Sequence, residues 1–200
     1  MIKAIAFDCG NVILSNSWPD PVFEKFCKEI GISYRKGTEI FFKHYDGRLK
    51  FGKGSEYDFF KELLKNSNKK KLKLNDVKKL YYKKIHVKKA FSLVKKLYKK
   101  YPLYTLNDEA IEWMNYRIKK FKLKKYFKAF ITSGFVGYAK PDKRIYQIML
   151  KKAKCKPEEV IFIDNNPKLV EAARKLGING ITFRNKEQLI KSLKKFGVEV

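Results

Sequence analysis

The amino-acid sequence predicts an α/β fold in which helices cover both faces of a parallel β-sheet. Two short and continuously apolar runs, residues 3–8 and 160–164, are each bounded by turn residues. Such runs are typical of strands that are buried on both faces, as parallel sheets require. Strand and helix patterns also alternate along most of the chain, and that alternation is typical of right-handed βαβ crossovers.

The other elements of the predicted core follow the same hydrophobic pattern. Further strands are expected at residues 103–107, 129–132 and 180–183. A Pro-Asp pair at residues 141–142 begins a helix that runs to residue 152. Pro167 and Gly177 mark the beginning and the end of the next helix, because proline is tolerated at the first helical position and glycine commonly follows the last.

A long segment without any strand pattern separates the first strand from the second. Its apolar residues recur at helical spacing over residues 21–30, 38–45, 57–65 and 75–85, and a crossover helix is expected over residues 88–100. Since a βαβ crossover needs only one helix, we assign residues 15–87 to a small all-helical cap and residues 1–14 and 88–200 to the α/β core. The cap leaves the core directly after the first strand, so we expect it to lie over that edge of the sheet, where it excludes water and selects substrates.

The composition restricts the class of protein. A length of 200 residues suits one domain with a modest insertion, and 44% hydrophobic residues allow a sizeable core. No apolar run approaches the roughly 20 residues of a membrane-spanning helix, and the first strand begins without the features of a secretory signal. Three scattered cysteines, without a CxxC pair, are typical of a reducing compartment. We therefore expect a cytoplasmic protein without a membrane partner, either a monomer or a homodimer.

The net charge of +27 is the strongest compositional signal, and it comes almost entirely from lysine. Clustered cations drive non-specific binding to nucleic acids through counterion release. In this sequence, however, the lysines alternate with apolar residues at helical spacing, for example over residues 93–100. Arginine, which specific phosphate and base recognition favours, is rare. We interpret the lysines as solvated helix faces and expect no specific nucleic-acid partner.

Two aspartates stand at the ends of predicted strands. Asp8 ends the first apolar run and Asp164 ends the run that begins at residue 160. In open parallel sheets, ligands bind beyond the carboxyl ends of the strands, where the strand order reverses. Two carboxylates facing one crevice suit a hard divalent cation such as Mg²⁺. Taken singly, each aspartate also has an ordinary alternative as a turn residue.

Two further features are expected at the same edge of the sheet. Lys140 lies between a strand end and the Pro-Asp beginning of a helix. Its ammonium is therefore expected to point into the crevice and to pair with Asp8 and with an anionic substrate. Asn107 and Asp108 end the second strand, where either residue caps the following helix or forms hydrogen bonds in the crevice.

With these motifs in place, the chain resembles the haloacid dehalogenase superfamily across essentially its whole length. Residues 7–13 resemble the first motif of the family, whose leading aspartate is the nucleophile, and residues 140–146 and 163–173 resemble the third and fourth motifs. The inserted helices resemble the type of cap that the family places after the first strand. The resemblance implies a Rossmann-like parallel sheet sandwiched by helices. The branch most similar in its first motif is that of the small-molecule phosphatases.

The resemblance implies a Mg²⁺-dependent phosphohydrolase that acts on a small phosphorylated metabolite. Asp8 would attack phosphorus and form an aspartyl-phosphate, which water then hydrolyses. The implied catalytic residues are Asp8, Lys140 and Asn107. The implied metal-binding residues are Asp8, Gly10 through its backbone carbonyl, Asp164 and Asn165. The implied substrate-binding residues are Gly10, Asn11, Asn107, Asp108 and Lys140.

Three positions depart from the family pattern. Gly10 stands where the family's phosphatases usually have a second aspartate, a general acid and base of a kind worth ~10²–10⁴-fold in rate. Asn107 with Asp108 replaces a Ser or Thr followed by Asn, and Asn165 replaces a second Asp. We expect these changes to lower turnover. They leave open two alternative functions. One is a catalytically weakened binding protein, and the other is a phosphotransferase or a protein that forms a long-lived aspartyl-phosphate. A haloacid dehalogenase is less favoured, since it usually has Tyr at the position of Gly10.

Other side chains are assigned to ordinary roles. His44 is expected to be a partly exposed helical residue. The aromatic residues of the cap are expected to form its core in preference to lining the crevice: Trp18, Phe41, Phe42 and Tyr45. Residues on the helix after the second strand are expected to pack at the surface: Trp113, Tyr116 and Arg117.

Overall fold

A five-stranded parallel β-sheet organises the chain, whose computed structural model describes residues 1–15 and 21–200. The strands are β1 Ala4–Phe7, β2 Leu103–Asn107, β3 Ala129–Thr132, β4 Val160–Asp164 and β5 Asn179–Thr182. Their spatial order is β3-β2-β1-β4-β5, and each neighbouring pair is parallel. The predicted α/β class and parallel sheet are confirmed. Because the chain moves outward from β1 to β3 and then returns to β4 on the other side, the strand order reverses between β1 and β4.

Ten α-helices are described along the chain. They are α1 Pro21–Ile30, α2 Tyr34–Tyr45, α3 Glu56–Lys65, α4 Leu74–Lys83, α5 Phe91–Leu97, α6 Ile111–Lys120, α7 Ser133–Val136, α8 Lys143–Ala153, α9 Pro167–Arg174 and α10 Lys186–Lys195. Short 3₁₀ turns occur at Leu49–Phe51, Leu123–Lys125 and Pro157–Glu159. Within the described residues, no helix is long and apolar enough to cross a membrane.

Most predicted boundaries agree with the structure to within a few residues. The strands β2, β3 and β4 have the predicted bounds, and β5 lies one residue earlier than predicted. Helix α2 begins before its predicted start because the Ser33 side chain accepts a hydrogen bond from the Lys36 N–H (3.2 Å) and so caps the helix. The crossover helix α5 is shorter at both ends than the predicted 88–100, and the Ala90 side chain forms no capping hydrogen bond.

Strand side chains alternate between two hydrophobic clusters, one on each face of the sheet. The first cluster contains the odd-numbered residues Ile5, Phe7, Leu103, Ile161 and Ile163. The second contains the even-numbered residues Ala4, Ala6, Leu106, Val160 and Phe162. The register pairs Phe7 with Ile163. Asp8 and Asp164 therefore follow as neighbours, on the face of the second cluster.

The inserted helices α1–α4 enclose a hydrophobic cluster of their own. Its largest fully buried side chains are aromatic: Phe23, Phe26, Phe59, Phe60 and Tyr81. Trp113 and Ala110 of the α/β core complete this cluster. Phe41 belongs to it as expected, whereas Phe42 is exposed, because adjacent helical residues point about 100° apart. Trp18 lies outside the described residues. The division into core and cap at residues 15–87 stays a prediction.

Three side chains are more buried than expected. His44 is 6% exposed, since its Nε2 lies 2.7 Å from Glu62 Oε2 and its ring contacts Phe59. Trp113 and Arg117, which were expected at the surface, are each 2% exposed. The surface assignment is therefore wrong for both residues, because the inserted helices cover the face of α6 on which they lie.

Gly52 allows the 3₁₀ turn at Leu49–Phe51 to approach α7. Gly52 has φ of +72°, and a β-carbon there would overlap the backbone carbonyl oxygen of Gly134. The close approach brings the turn that carries Lys50 against the core. A side chain at position 52 would therefore move this part of the inserted segment away from the sheet edge.

Replacing Gly52 by alanine is expected to lower the free energy of unfolding by more than the same change at Gly47. Gly47 has φ of +80°, and a β-carbon added there would have no neighbouring atom within 4 Å, so Gly47→Ala carries only the left-handed backbone cost of roughly 1–2 kcal/mol. Gly52→Ala adds an overlap with backbone, which we expect to cost about 1–3 kcal/mol more. Urea denaturation of both variants measures the difference, and equal losses would contradict the close approach.

Candidate functional site

The ammonium of Lys140 joins the two aspartates at the strand ends. Nζ donates hydrogen bonds to Asp8 Oδ1 (2.8 Å), Asp164 Oδ2 (2.7 Å) and the Leu106 carbonyl oxygen (3.0 Å). An ammonium has three N–H donors, so all of them are engaged. Lys140 is 5% exposed. The cation is therefore fixed at the carboxyl ends of β1, β2 and β4.

Backbone contacts hold the two aspartates in place. The Asp8 N–H donates to the Ile163 carbonyl oxygen (2.8 Å) and so continues the pairing of β1 with β4 by one residue. Asp164 Oδ1 accepts a hydrogen bond from the Asn166 N–H (2.8 Å). The backbone thus orients both carboxylates toward the same edge of the sheet.

Burial and the neighbouring charges act in opposite directions on this cluster. Burial raises the pKa of Asp8 above its ordinary value, Lys140 opposes that rise, and Asp164 adds to it. Burial by itself would lower the pKa of Lys140, but Asp8, Asp164 and Asp108 outweigh it and the net pKa is raised. Lys140 therefore stays an ammonium, and the three carboxylates around it leave an excess of negative charge when ionised.

Asp108 connects the Lys140 loop to the inserted segment. Its Oδ1 accepts a hydrogen bond from the Lys140 backbone N–H (2.9 Å), and its Oδ2 lies 3.9 Å from Lys50 Nζ. Its backbone carbonyl oxygen accepts a hydrogen bond from the Tyr45 hydroxyl (2.9 Å). Since Tyr45 and Lys50 both lie in the inserted segment, this segment contacts the site through Asp108.

A cavity of about 450 Å³ opens over these residues. The inserted segment contributes Phe41, Tyr45, Lys50 and Tyr81 to its lining, and α6 contributes Trp113 and Arg117. Phe41 and Tyr45 therefore line the crevice as well as packing in the cap cluster, so the expectation that they would not line it is wrong. The rings of Tyr45 and Trp113 are stacked, with centroids 5.8 Å apart and planes inclined by 5°. The cavity thus has a charged floor at the sheet edge and a largely aromatic roof.

The structure brings most of the predicted site residues to this cavity. Its lining includes Asp8, Gly10, Asn107, Asp108, Lys140, Asp164 and Asn165. Asn11 does not line it and adopts a left-handed backbone conformation with φ of +56°.

Asn107 differs from the other strand-end residues in the direction of its side chain. Its Oδ1 accepts a hydrogen bond from the Cys9 N–H (2.8 Å), and its Nδ2 lies 3.9 Å from Met114 Sδ. As an odd-numbered residue of β2, it lies on the face opposite to Leu106. In this geometry the amide orients the peptide that follows Asp8.

Glu109, which precedes α6, and one face of α6 were not predicted to line the site. Glu109, Trp113 and Arg117 recur every fourth residue and all line the cavity. Arg117 Nε lies 2.8 Å from Glu109 Oε2, and Arg117 Nη1 donates to the Ser15 carbonyl oxygen (3.1 Å). The i, i+4, i+8 spacing was the available signal, since it places the three side chains on one helical face.

The oxygen donors at the sheet edge fit Mg²⁺. Within residues 1–15 and 21–200, no group of three or more His, Cys, Asp or Glu side chains forms a metal cage. Mg²⁺ does not need such a cage, because it retains several waters and is usually held by one or two carboxylates together with substrate phosphate. Asp8 and Asp164 provide two carboxylates, and Gly10 lines the same cavity.

Comparison with known proteins identifies the family. The family model of haloacid dehalogenase-like hydrolases matches residues 2–177. The chain belongs to this family of hydrolases. The family that the sequence motifs resemble is thereby confirmed.

Individual relatives of the haloacid dehalogenase-like hydrolase are similar over parts of their length. Flavin mononucleotide hydrolase 1 of Arabidopsis thaliana is 33% identical over 88 residues, which are 44% of this chain and 36% of that protein. A phosphorylated carbohydrates phosphatase of Thermotoga maritima is 34% identical over 77 residues, which are 38% of this chain and 34% of that protein. The matched region thus spans about a third of each of these curated relatives.

A solved structure shares the fold over nearly the whole chain. It is a haloacid dehalogenase family enzyme from Bacteroides thetaiotaomicron in complex with magnesium and inorganic phosphate. The TM-score is 0.75 at 22% sequence identity, and the alignment covers 92% of this chain and 95% of that one. At this identity, the similarity shows the common fold.

Removing the cation of Lys140 is expected to destabilise the protein at neutral pH. Lys140→Met leaves two buried carboxylates without their partner, and breaking a buried pair typically costs about 3–5 kcal/mol. The pKa of Asp8, already raised by burial, would rise further. A carboxyl group whose pKa is higher in the folded than in the unfolded protein stabilises the fold at pH values below its unfolded pKa of about 4. This stabilisation is lost as the pH rises through the pKa of the folded state.

The loss of unfolding free energy in Lys140→Met, relative to wild type, is therefore expected to be largest near pH 7–8 and to shrink toward pH 4–5. Urea denaturation in EDTA across this pH range measures it. Lys143→Met, at an exposed position on α8, is the matched control and should change stability by less than about 0.5 kcal/mol. A deficit that is independent of pH would show that the carboxylates are not responsible.

Proposed function

We propose that this chain is a Mg²⁺-dependent phosphohydrolase that acts on a small phosphorylated metabolite through an aspartyl-phosphate at Asp8. The observation that carries the proposal is the Lys140 ammonium held between Asp8 and Asp164 on the floor of the cavity. A carboxylate can approach a phosphate dianion only where cations offset their repulsion. The names of the two curated relatives, a flavin mononucleotide hydrolase and a carbohydrate phosphatase, support a phosphate ester as substrate.

Asp8 is assigned as the nucleophile. Its Oδ1 is held by Lys140, so we assign Oδ2 as the oxygen that attacks phosphorus. Because Lys140 also binds Asp164 and the Leu106 carbonyl oxygen, the direction of the Asp8 carboxylate is fixed before substrate binds. As negative charge moves from Asp8 to the phosphoryl group, the Lys140 ammonium stays within reach of the reacting atoms.

The metal would be held by Asp8, the Gly10 backbone carbonyl and Asp164, with Asn165 beside them. Bound there, Mg²⁺ supplies a Lewis acid that neutralises charge on the phosphoryl oxygens. Asn107 fixes the Cys9 peptide (2.8 Å) and so holds the loop that carries the Gly10 carbonyl. The chain's own part is thus to preorganise the oxygen donors and the nucleophile.

The inserted helices would exclude water and select the substrate. The cavity volume of about 450 Å³ lies in the usual range of small-molecule sites, ≈ 300–1,000 Å³. Its aromatic roof suits the organic part of a phosphorylated metabolite, and its charged floor suits the phosphate. The cytoplasmic location, the monomeric or homodimeric state and the lack of a specific nucleic-acid partner remain predictions.

Replacing the nucleophile by its isosteric amide is expected to abolish turnover. Wild type should hydrolyse p-nitrophenyl phosphate and at least one compound of a phosphometabolite panel with Mg²⁺ and not with EDTA. Asp8→Asn should lower the rate at least about 10⁴-fold, since an amide oxygen is not a nucleophile of comparable strength. Asp58→Asn, at an exposed position on α3, is the control and should leave the rate unchanged.

Equal and negligible rates of wild type and Asp8→Asn across the panel would contradict the hydrolase proposal. Binding of phosphometabolites without turnover would then favour the catalytically weakened binding protein. A ³²P-labelled Asp8 that persists for minutes would favour the phosphotransferase.

Asp164→Asn is expected to weaken Mg²⁺ binding without removing the nucleophile. One carboxylate fewer near a divalent cation should raise the Mg²⁺ concentration for half-maximal activity at least about tenfold, because a charge pair near a surface is worth several kcal/mol. Calorimetric titration with Mg²⁺ measures the same change independently of turnover. An unchanged Mg²⁺ dependence would show that Asp164 is not a ligand.

A further inference from the structure

The reaction at Asp8 needs a proton donor and acceptor that the first motif does not contain. An alkoxide leaving group must be protonated as its bond to phosphorus breaks, and the water that attacks the aspartyl-phosphate must lose a proton. Gly10 has no side chain that could do either. We infer that Asp108 is the general acid and base of this reaction, an inference that rests on the proposed phosphohydrolase function.

The position of Asp108 suits this role. It follows β2, the strand adjacent to β1, and lines the same cavity as Asp8. Its Oδ1 is held by the Lys140 N–H (2.9 Å), whereas Oδ2 lies 3.9 Å from Lys50 Nζ, too far for a hydrogen bond. The side chain is 17% exposed. One carboxyl oxygen is therefore anchored, and the other is available to a group inside the cavity.

The other acidic side chains of the cavity lining are already engaged. Asp8 is the nucleophile, and Asp164 is held by Lys140 and by the Asn166 N–H. Glu109 is paired with the buried Arg117 at 2.8 Å. Among the acidic residues that line the described cavity, Asp108 is the one that is neither the proposed nucleophile nor in an ion pair closer than 3.9 Å.

The surroundings of Asp108 hold the pKa of its carboxyl group above the ordinary value, which favours the acid form. Burial raises its pKa, while the cations Lys140 and Lys50 oppose that rise and Asp164 adds to it. The other ionisable groups whose charge acts on it are Asp8, Glu109, Tyr45 and Tyr146.

The two chemical steps balance with Asp108 as the only proton carrier. In the first, Asp8 Oδ2 forms a bond to phosphorus, the phosphorus–oxygen bond to the leaving group breaks, and the Asp108 carboxyl gives its proton to that oxygen. In the second, the Asp108 carboxylate takes a proton from water as the water oxygen binds phosphorus and the bond to Asp8 breaks. Asp108 is then protonated again, and inorganic phosphate leaves.

Two contacts join Asp108 to the inserted segment. The Tyr45 hydroxyl donates to the Asp108 carbonyl oxygen (2.9 Å), and Lys50 Nζ lies 3.9 Å from its carboxyl group. Asp108 therefore lies where the inserted segment meets the floor of the cavity.

The decisive variant is Asp108→Asn, which keeps an oxygen that can accept the Lys140 N–H but cannot transfer a proton. Rapid-quench measurement of Asp8 phosphorylation should show a loss of about 10²–10³-fold with the best alkyl phosphate of the panel. With p-nitrophenyl phosphate, whose leaving group needs no proton, the phosphorylation rate should stay within about threefold of wild type. The second step should slow as well, so a stoichiometric burst of p-nitrophenolate should precede a slow steady state.

The pH profile gives a second readout. The rate constant kcat/KM of wild type with the alkyl phosphate should fall as pH rises through the pKa of Asp108, because the acid form is then lost. In Asp108→Asn this decrease of kcat/KM with rising pH should be absent. Asp58→Asn is the control for loss of one carboxylate and should behave as wild type.

Other outcomes would overturn the inference. Equal loss of the phosphorylation rate with both substrates, without a burst, would assign Asp108 only to positioning Lys140. Unchanged rates with both substrates would remove it from the reaction. Turnover that survives Asp8→Asn would refute the proposed function itself, whereas turnover that needs Asp8 and ignores Asp108 would refute this inference alone.

Discussion

The buried ammonium of Lys140 is the interaction on which the site depends. Asp8 and Asp164 leave adjacent strands on the same face of the sheet, and two carboxylates so close would repel one another without a cation between them. Lys140 supplies that cation with all three of its N–H donors. The same ammonium opposes the rise that burial causes in the pKa of Asp8, and so favours the anionic form that the proposed nucleophile needs.

A second constraint is the shared packing between α6 and the inserted helices. Trp113 lies on α6, in the predicted core, but packs in the hydrophobic cluster of the inserted helices. Tyr116 stacks on Tyr82 with centroids 3.9 Å apart, and Lys120 Nζ donates to the Tyr82 and Ile85 carbonyl oxygens. The cap is thus attached along one whole face of α6. This attachment places Tyr45 and Lys50 beside Asp108 at the mouth of the site.

The charge of the whole chain and the charge of the site have opposite signs. The chain carries a net charge of +27, whereas at the site three carboxylates surround the single ammonium of Lys140. A positive surface raises the local concentration of anionic phosphate esters, whereas a local excess of carboxylates suits the proposed divalent cation. The lysine-rich helix faces therefore suit the proposed activity on phosphorylated metabolites without requiring a nucleic-acid partner.

The sequence alone determined the fold class, the family and the floor of the site. Buried parallel strands require continuous apolar runs, and their ends must meet at one edge, so Asp8, Asp164 and Lys140 could be found from local patterns and motif order. Only the tertiary structure decided the roof of the cavity and the direction of individual side chains. Trp113 and Arg117 looked like surface residues because helical periodicity does not reveal which other helices cover a face. The contacts of Asn107 and Asp108, adjacent in sequence, diverge because the alternation of a strand sends successive side chains to opposite faces of the sheet.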